Sequence, residues 1–171
     1  KKKIESTIDL VNIIKKIKKN YLYSKINPAT KVFQALRIFV NKEITEIIMG
    51  LISATKLVKE NGKIVVVSFH SIEDRIIKKY FKIYSNLESK PSRYIPSDNG
   101  PNKEKLFILE SNSALTPSKK EVKLNKASRS AKMRFATRND NNFFYPNMII
   151  NEFNDYLSLE RMSKWKNIFF W

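Results

Sequence analysis

Residues 63–75 read KIVVVSFHSIEDR and place four consecutive β-branched residues, Ile64 to Val67, between an Asn61-Gly62 pair and a stretch of helical spacing. A β-branched run without alternation is the pattern of a strand buried on both faces, which points to the interior of a mostly parallel sheet. Asn-Gly suits the left-handed end of a preceding helix. After Phe69, the residues Ile72, Ile76, Ile77, Tyr80, Phe81 and Tyr84 return at helical spacing, giving a helix over 71–84. Helix, Asn-Gly and buried strand together make half of an α/β repeat.

The flanking segments fit around this unit. Ile4, Ile8, Val11, Ile14 and Ile17 form one apolar stripe, a helix over 4–18. Asn27-Pro28 marks the start of another, since Asn caps well and Pro at the first position loses no hydrogen bond. It carries Phe33, Leu36 and Val40 on one side and Gln34, Arg37 and Asn41 on another. Apolar spacing then continues to Lys59, as two helices or one bent helix. Pro91, Pro96, Gly100 and Pro101 make residues 85–103 a long surface loop. Lys105 to Leu109 is a second strand. Thr116-Pro117-Ser118 opens another loop, and Ala131 to Thr137 alternates as an edge or hairpin strand. The two late strands, with only loops between them, pair antiparallel. The tail from Asn139 contains a weak helix over 147–163.

Composition limits the chemistry. The 171 residues suffice for one domain with a real core. Thirty-three Lys and Arg against sixteen Asp and Glu leave a charge of +17, which makes nucleic acid the first partner to consider. Part of that excess is compositional, because Lys, Ile and Asn are abundant throughout. Without cysteine there is no disulfide or thiolate site, and a single histidine builds no multi-histidine metal centre. No metal is expected. No apolar run approaches bilayer length and no signal-peptide core is present, so a cytoplasmic location is expected and no membrane partner. The opening Lys in place of Met fits a fragment.

Open α/β sheets bind ligands at strand carboxyl ends, where His70, Ser71, Glu73 and Asp74 follow the buried run. His70 reads either as a base contact or proton acceptor, or as part of a helix start in which Ser71 caps and Asp74 is its capping-box partner. Glu73 and Asp74 fall in a first helical turn, with Arg75, Arg37 or Arg129 as the expected ion partner of one of them. A hydrolase built on Ser68 or Ser71 with His70 is disfavoured, because adjacent residues rarely point at each other. Gln34 and Arg37 meet a base or phosphate, or form a solvated face; both readings stand. Lys119 to Arg138 holds eight basic residues and one acidic, and the polar side of a strand there can track a phosphate backbone while its apolar side packs. Tyr80, Phe81 and Tyr84 read as core. Phe143, Phe144, Tyr145, Trp165 and Trp171 stack on bases or pack on the domain, and the pattern does not choose.

Three blocks carry a resemblance: NPATKVFQALRIFVN from Asn27, SFHSIEDR from Ser68 and NKASRSAKMR from Asn125. In order and spacing they are similar to the S-adenosylmethionine-dependent methyltransferases that modify N4 of a cytidine in bacterial small-subunit ribosomal RNA. The match covers roughly residues 5 to 138. Asn27 stands for the family's His, Lys31 for Arg, and Lys126 and Ser128 depart in the last block.

The resemblance implies an α/β, Rossmann-like class I methyltransferase fold, incomplete, with the C-terminal half of the sheet and its flanking helices. Residues 1–20 would end an inserted helical region, 21–138 would form that half, and 139–171 an extension of unassigned role. It implies S-adenosyl-L-methionine as cofactor, 16S rRNA and the small ribosomal subunit as partners, and leaves a homodimer open. His70, Glu73 and Asp74 become catalytic candidates. Asn27, Gln34, Arg37, Ser71, Arg75, Lys126, Arg129, Lys132 and Arg134 become RNA contacts. Gly50, Gly62 and Gly100 form no G-x-G pattern, so no cofactor-binding residue is assigned and the chain alone is expected to be inactive. The rival reading is a non-catalytic basic RNA-binding or ribosome-associated module.

Overall fold

The computed structural model describes residues 3–17, 27–85 and 105–162. Two compact units divide the chain, Lys1–Glu43 with Leu159–Trp171, and Ile44–Ser158. In the first, α1 (Thr7–Ile17) packs on α2 (Ala29–Asn41), and Ile14 is buried. The N-cap of α2 is Pro28, one residue later than the Asn27 cap expected; Asn27 still supports the helix start, its Oδ1 accepting the Ala29 N–H and its carbonyl the Thr30 N–H, each at 3.0 Å. Lys42 turns left-handed at φ 53°, so the apolar run beyond it is a separate helix, α3 (Glu43–Leu57).

The second unit holds the sheet. Asn61 is left-handed at φ 60°, and the Gly62 N–H returns to the Lys59 carbonyl at 2.9 Å, which turns the chain from α3 into β1 (Lys63–Ser68). There follow α4 (Ser71–Ile83), β2 (Phe107–Ile108), α5 (Lys119–Leu124), a 3₁₀ turn at Lys126–Ser130, β3 (Lys132–Arg138), α6 (Asn147–Glu152) and α7 (Asn154–Met162). Strand order is β1-β3-β2, with β3 antiparallel to both neighbours. β1 and β2 therefore run the same way, with α4 between them in the chain.

Two strand expectations change. β1 is not buried on both faces inside a parallel sheet: Ile64 and Ser68 are buried, whereas Val65 and Val67 are 55% and 51% exposed. The physical reason is that α4 covers one face only, and β3 is β1's single partner among the described strands. β3, in turn, is the central strand rather than an edge, paired with β1 from Lys63↔Thr137 to Ser68↔Lys132 and with β2 at Phe107↔Arg138 and Ile108↔Thr137. Its alternation reflects one helix-covered and one half-open face. The antiparallel pairing of the two late strands is present, although β2 is shorter than its apolar run. Between them the chain forms α5 and the 3₁₀ turn where only loop was expected. Ser118 Oγ accepts the Glu121 N–H at 3.1 Å, so the Ser-x-x-Glu spacing was the available helix signal.

The core sits under α4. Tyr80, Phe81 and Tyr84 are buried as expected, with Ile76, Ile77, Leu106 and Phe107. Phe81 meets Phe107 edge to face at 5.3 Å and Tyr80 meets Tyr84 at the same distance, pairs that contribute about 0.5–1.5 kcal/mol each beyond area burial. The Tyr80 hydroxyl lies 2.8 Å from Thr55 Oγ1, tying α4 to α3, and burial pushes its pKa far above the usual tyrosine range. The Tyr84 hydroxyl accepts the Ile149 N–H at 3.1 Å and Phe144 packs on its ring, so α6 docks on α4 and Phe144 is a packing residue. Tyr145 is exposed. The weak helix at 147–163 is two short helices, α6 and α7. Residues 86–103 of the expected loop, Trp165 and Trp171 lie outside the described residues.

Phe107→Ala should cost about 3–5 kcal/mol and Ile108→Ala under about 1 kcal/mol, because adjacent residues of one strand sit on opposite faces. Urea midpoints of the two variants check this.

Candidate functional site at the carboxyl end of β1

At the end of β1 the chain turns into α4 over two residues. His70 is extended (φ −137°, ψ 160°) and is itself the N-cap. Its Nδ1 accepts the Glu73 N–H at 3.4 Å, while Glu73 Oε2 accepts the Phe69 and His70 N–H groups at 3.0 and 3.4 Å. The capping box thus lies one residue earlier than the Ser71–Asp74 box expected from sequence, because His70 supplies the acceptor in place of a hydroxyl. Ser71 is the first helical residue and is exposed. Accepting at Nδ1 leaves the neutral ring's proton on Nε2, which lies 3.2 Å from Glu73 Oε1. This places Nε2 within ion-pair distance of Glu73 Oε1 but not in hydrogen-bonding geometry with it, and commits Nδ1 to the helix cap.

Asp74 points the other way, onto β3. Its Oδ1 accepts from Arg134 Nε at 2.7 Å and its Oδ2 from Lys132 Nζ at 3.0 Å, while Arg134 also donates to the Asn112 carbonyl at 2.7 Å. Burial alone would push the Asp74 carboxyl up, but the hydrogen bonds and charges of Arg134 and Lys132 outweigh it and hold it below the usual carboxylate range. These cations, rather than Arg75, Arg37 or Arg129, are its partners. The middle and last motif blocks therefore meet at one end of the sheet.

This contact also sorts the basic block. The polar side of β3 faces α4, not solvent, and Arg134 shows only 10% of its side chain. Arg138 is buried and donates to the carbonyls of Leu106 and Asn139. Lys132 keeps 43% of its side chain exposed beside Asp74. The solvated cations are Lys119, Lys120, Lys123, Lys126 and Arg129, on α5 and the 3₁₀ turn that leads into β3. Asn125 shapes that turn by accepting the Ala127 N–H at 3.0 Å, and Ser128 is buried with its hydroxyl on the Asn125 carbonyl. Arg75 is exposed on α4.

Asn27, Gln34 and Arg37 belong to the other unit, on or before α2. Arg37 holds Glu43 with Nε at 2.7 Å and a second guanidinium nitrogen at 3.0 Å, so its fork is already engaged. Gln34 is half-buried and Asn27 is occupied in starting the helix.

The described glycines offer no cradle for S-adenosylmethionine. Gly50 lies within α3, and a Cβ at Gly62 would meet Val58 at 2.6 Å and the Lys59 carbonyl at 2.8 Å, so its bareness serves the helix-to-strand turn. Among the described residues, none forms the glycine-rich loop that would fit that cofactor.

Asp74→Asn should lower stability by about 2–3 kcal/mol at neutral pH, by leaving Arg134 without its anion. The folded pKa is depressed, so this contribution is present above the unfolded value of about 3.9 and fades as pH falls through the folded value. Urea titrations at neutral and acid pH should show wild type and variant converging only in acid. His70→Ala should cost about 1 kcal/mol and His70→Asn much less, since Asn also caps. The single histidine makes the tautomer readable by long-range proton–nitrogen correlation NMR, with Nε2 protonated.

A model of the MraW methylase family matches residues 1–139. Among curated relatives, the ribosomal RNA small subunit methyltransferase H of Rickettsia africae (strain ESF-5) is 43% identical over 134 residues, 78% of this chain and 43% of the relative. Its namesake from Brachyspira hyodysenteriae is 43% identical over 139 residues, 81% of this chain and 42% of the relative. That of Rickettsia bellii (strain RML369-C) is 41% identical over 136 residues, 80% and 44% respectively. The chain spans less than half the length of these relatives. Because the match runs from α1 through the His70 cap to the Asp74-bound strand β3, the chain belongs to the MraW methylase family.

Proposed function

We propose that the protein carrying this chain transfers a methyl group from S-adenosylmethionine to N4 of a cytidine in 16S rRNA, and that this chain is its RNA side. The observation that carries the reading is the meeting of the middle and last motif blocks at the carboxyl end of β1, where open α/β sheets present ligands. The order β1-β3-β2, with β3 reversed between two co-directional strands, suits the last three strands of a Rossmann-like sheet. The cofactor cradle then lies in the part of the relatives' length that this chain does not span. No helix among the described residues is long and apolar enough to cross a membrane.

The exocyclic amine of cytosine is a poor nucleophile because its lone pair is delocalised into the ring. Its site must hold it in line at about 3–3.5 Å and keep water out. The base must also leave its stack, at a cost of a few kcal/mol. A rigid turn at the strand end serves these demands. His70 and Glu73 lock the turn through the capping box, Asp74 fastens it to β3, and the cations of α5 and the 3₁₀ turn engage phosphates at the strand's approach. On this reading His70 positions the turn rather than accepting the proton.

Methyl transfer to small-subunit RNA by the protein extended upstream, with nucleoside analysis of the product, tests both parts. N4-methylcytidine should form. His70→Asn should retain the rate within about threefold, because it keeps the cap, whereas loss of a proton acceptor costs about 10²–10⁴. Equal collapse of His70→Asn and His70→Ala would make His70 the acceptor. An extended protein that binds no cofactor while this chain binds RNA would leave the non-catalytic RNA-binding module standing.

A further inference from the structure

The outward face of α4 carries one sign of charge. Ser71, Arg75, Lys78, Lys79 and Lys82 share it by helical spacing, whereas the helix's two carboxylates are turned away, Glu73 into the cap and Asp74 onto β3. Lys79 pairs with Glu152 of α6. Arg75, Lys78 and Lys82 are exposed and have no ion pair among the described residues. Solvated helix faces gain from alternating signs, and like charges at i, i+3 and i, i+4 weaken a helix. Arg75–Lys78, Lys79–Lys82, Arg75–Lys79 and Lys78–Lys82 are four such pairs, so within the fold, where Asp74 is held by β3, this face carries like-charge repulsion.

We propose that Arg75, Lys78 and Lys82 form a phosphate-tracking stripe for an RNA strand that leaves the β1–α4 turn. At 1.5 Å rise per residue the three follow one another at about 4.5 and 6 Å along the axis, beginning about 7.5 Å from His70. An anionic backbone relieves the repulsion that the helix otherwise bears. A lipid surface is disfavoured: α4 exposes no large apolar side chain, and an interfacial helix needs one. The stripe rests on the RNA reading above and adds a second contact, separate from α5 and the 3₁₀ turn, that includes Lys78 and Lys82.

The test is fluorescence anisotropy of the full chain with a fluorescein-labelled single-stranded segment of small-subunit rRNA across a salt series. Changing Arg75, Lys78 and Lys82 together to Gln should reduce the slope of log affinity against log salt by about 2, at about 0.7 per phosphate contact, and weaken binding at least about tenfold. The variant should melt no lower than the parent, since repulsion is removed, which separates lost contact from lost fold. Changing the exposed Lys16, Lys56 and Lys59 to Gln removes the same charge and should leave the slope nearly unaltered. Equal losses in both variants, or none in the α4 variant, would overturn the stripe. Changing Lys123, Lys126 and Arg129 to Gln distinguishes the levels: if binding falls there but not in the α4 variant, the RNA reading survives and the stripe does not. If no variant affects binding, both fail. Phosphatidylserine vesicles bound through the stripe while RNA binding is unchanged would also overturn it.

Discussion

Asp74 is the contact on which the rest of the second unit depends. It stands in the first turn of α4 and reaches across to two cations of β3, so one carboxylate joins segments nearly sixty residues apart in sequence. The low exposure of Asp74 and Arg134 makes the pairing obligatory, because a partly desolvated charge without its partner is costly. Hydrophobic burial brings α4 onto the sheet through Ile76, Ile77, Tyr80 and Phe81, but burial is non-directional. The ion pairs set where the helix begins relative to β3, and hence where His70 sits.

That constraint divides the positive charge into two kinds. Arg134 and Arg138 work inside the fold, one on Asp74 and the other on the carbonyls of Leu106, before β2, and Asn139, at the start of the tail. Lys119, Lys120, Lys123, Lys126 and Arg129 remain in solvent, beside the strand end rather than along the strand. A net charge of +17 therefore does not describe the surface charge open to a polyanion; the fraction left unpaired after folding does. His70 follows the same logic. It stands at the strand end, yet Nδ1 is committed to the helix cap, which on the proposed function favours orientation over proton uptake.

Much of this was legible in the residues. The β1–α4 junction, the left-handed Asn61, the aromatic core of α4 and the start of α2 each follow from local chemistry that tertiary packing did not override. Other features depended on what lies across space. Val65 and Val67 look like core by type, but exposure is decided by which faces are covered, and only one face of β1 is. Arg134 and Lys132 look like solvated strand cations until Asp74 is placed opposite them. The cap was misplaced by one residue because imidazole is a less frequent cap acceptor than a hydroxyl. The family blocks were readable because their order survived several substitutions; the role of each residue within them required the contacts.

Photo-crosslinking of the full chain to small-subunit rRNA, followed by peptide mapping, tests the central claim most directly. The account predicts crosslinks within residues 119–130 and along the outward face of 71–82, with the buried end of β3 at 134–138 spared. Crosslinks confined to α6 and α7, or centred on Arg134 and Arg138, would contradict it.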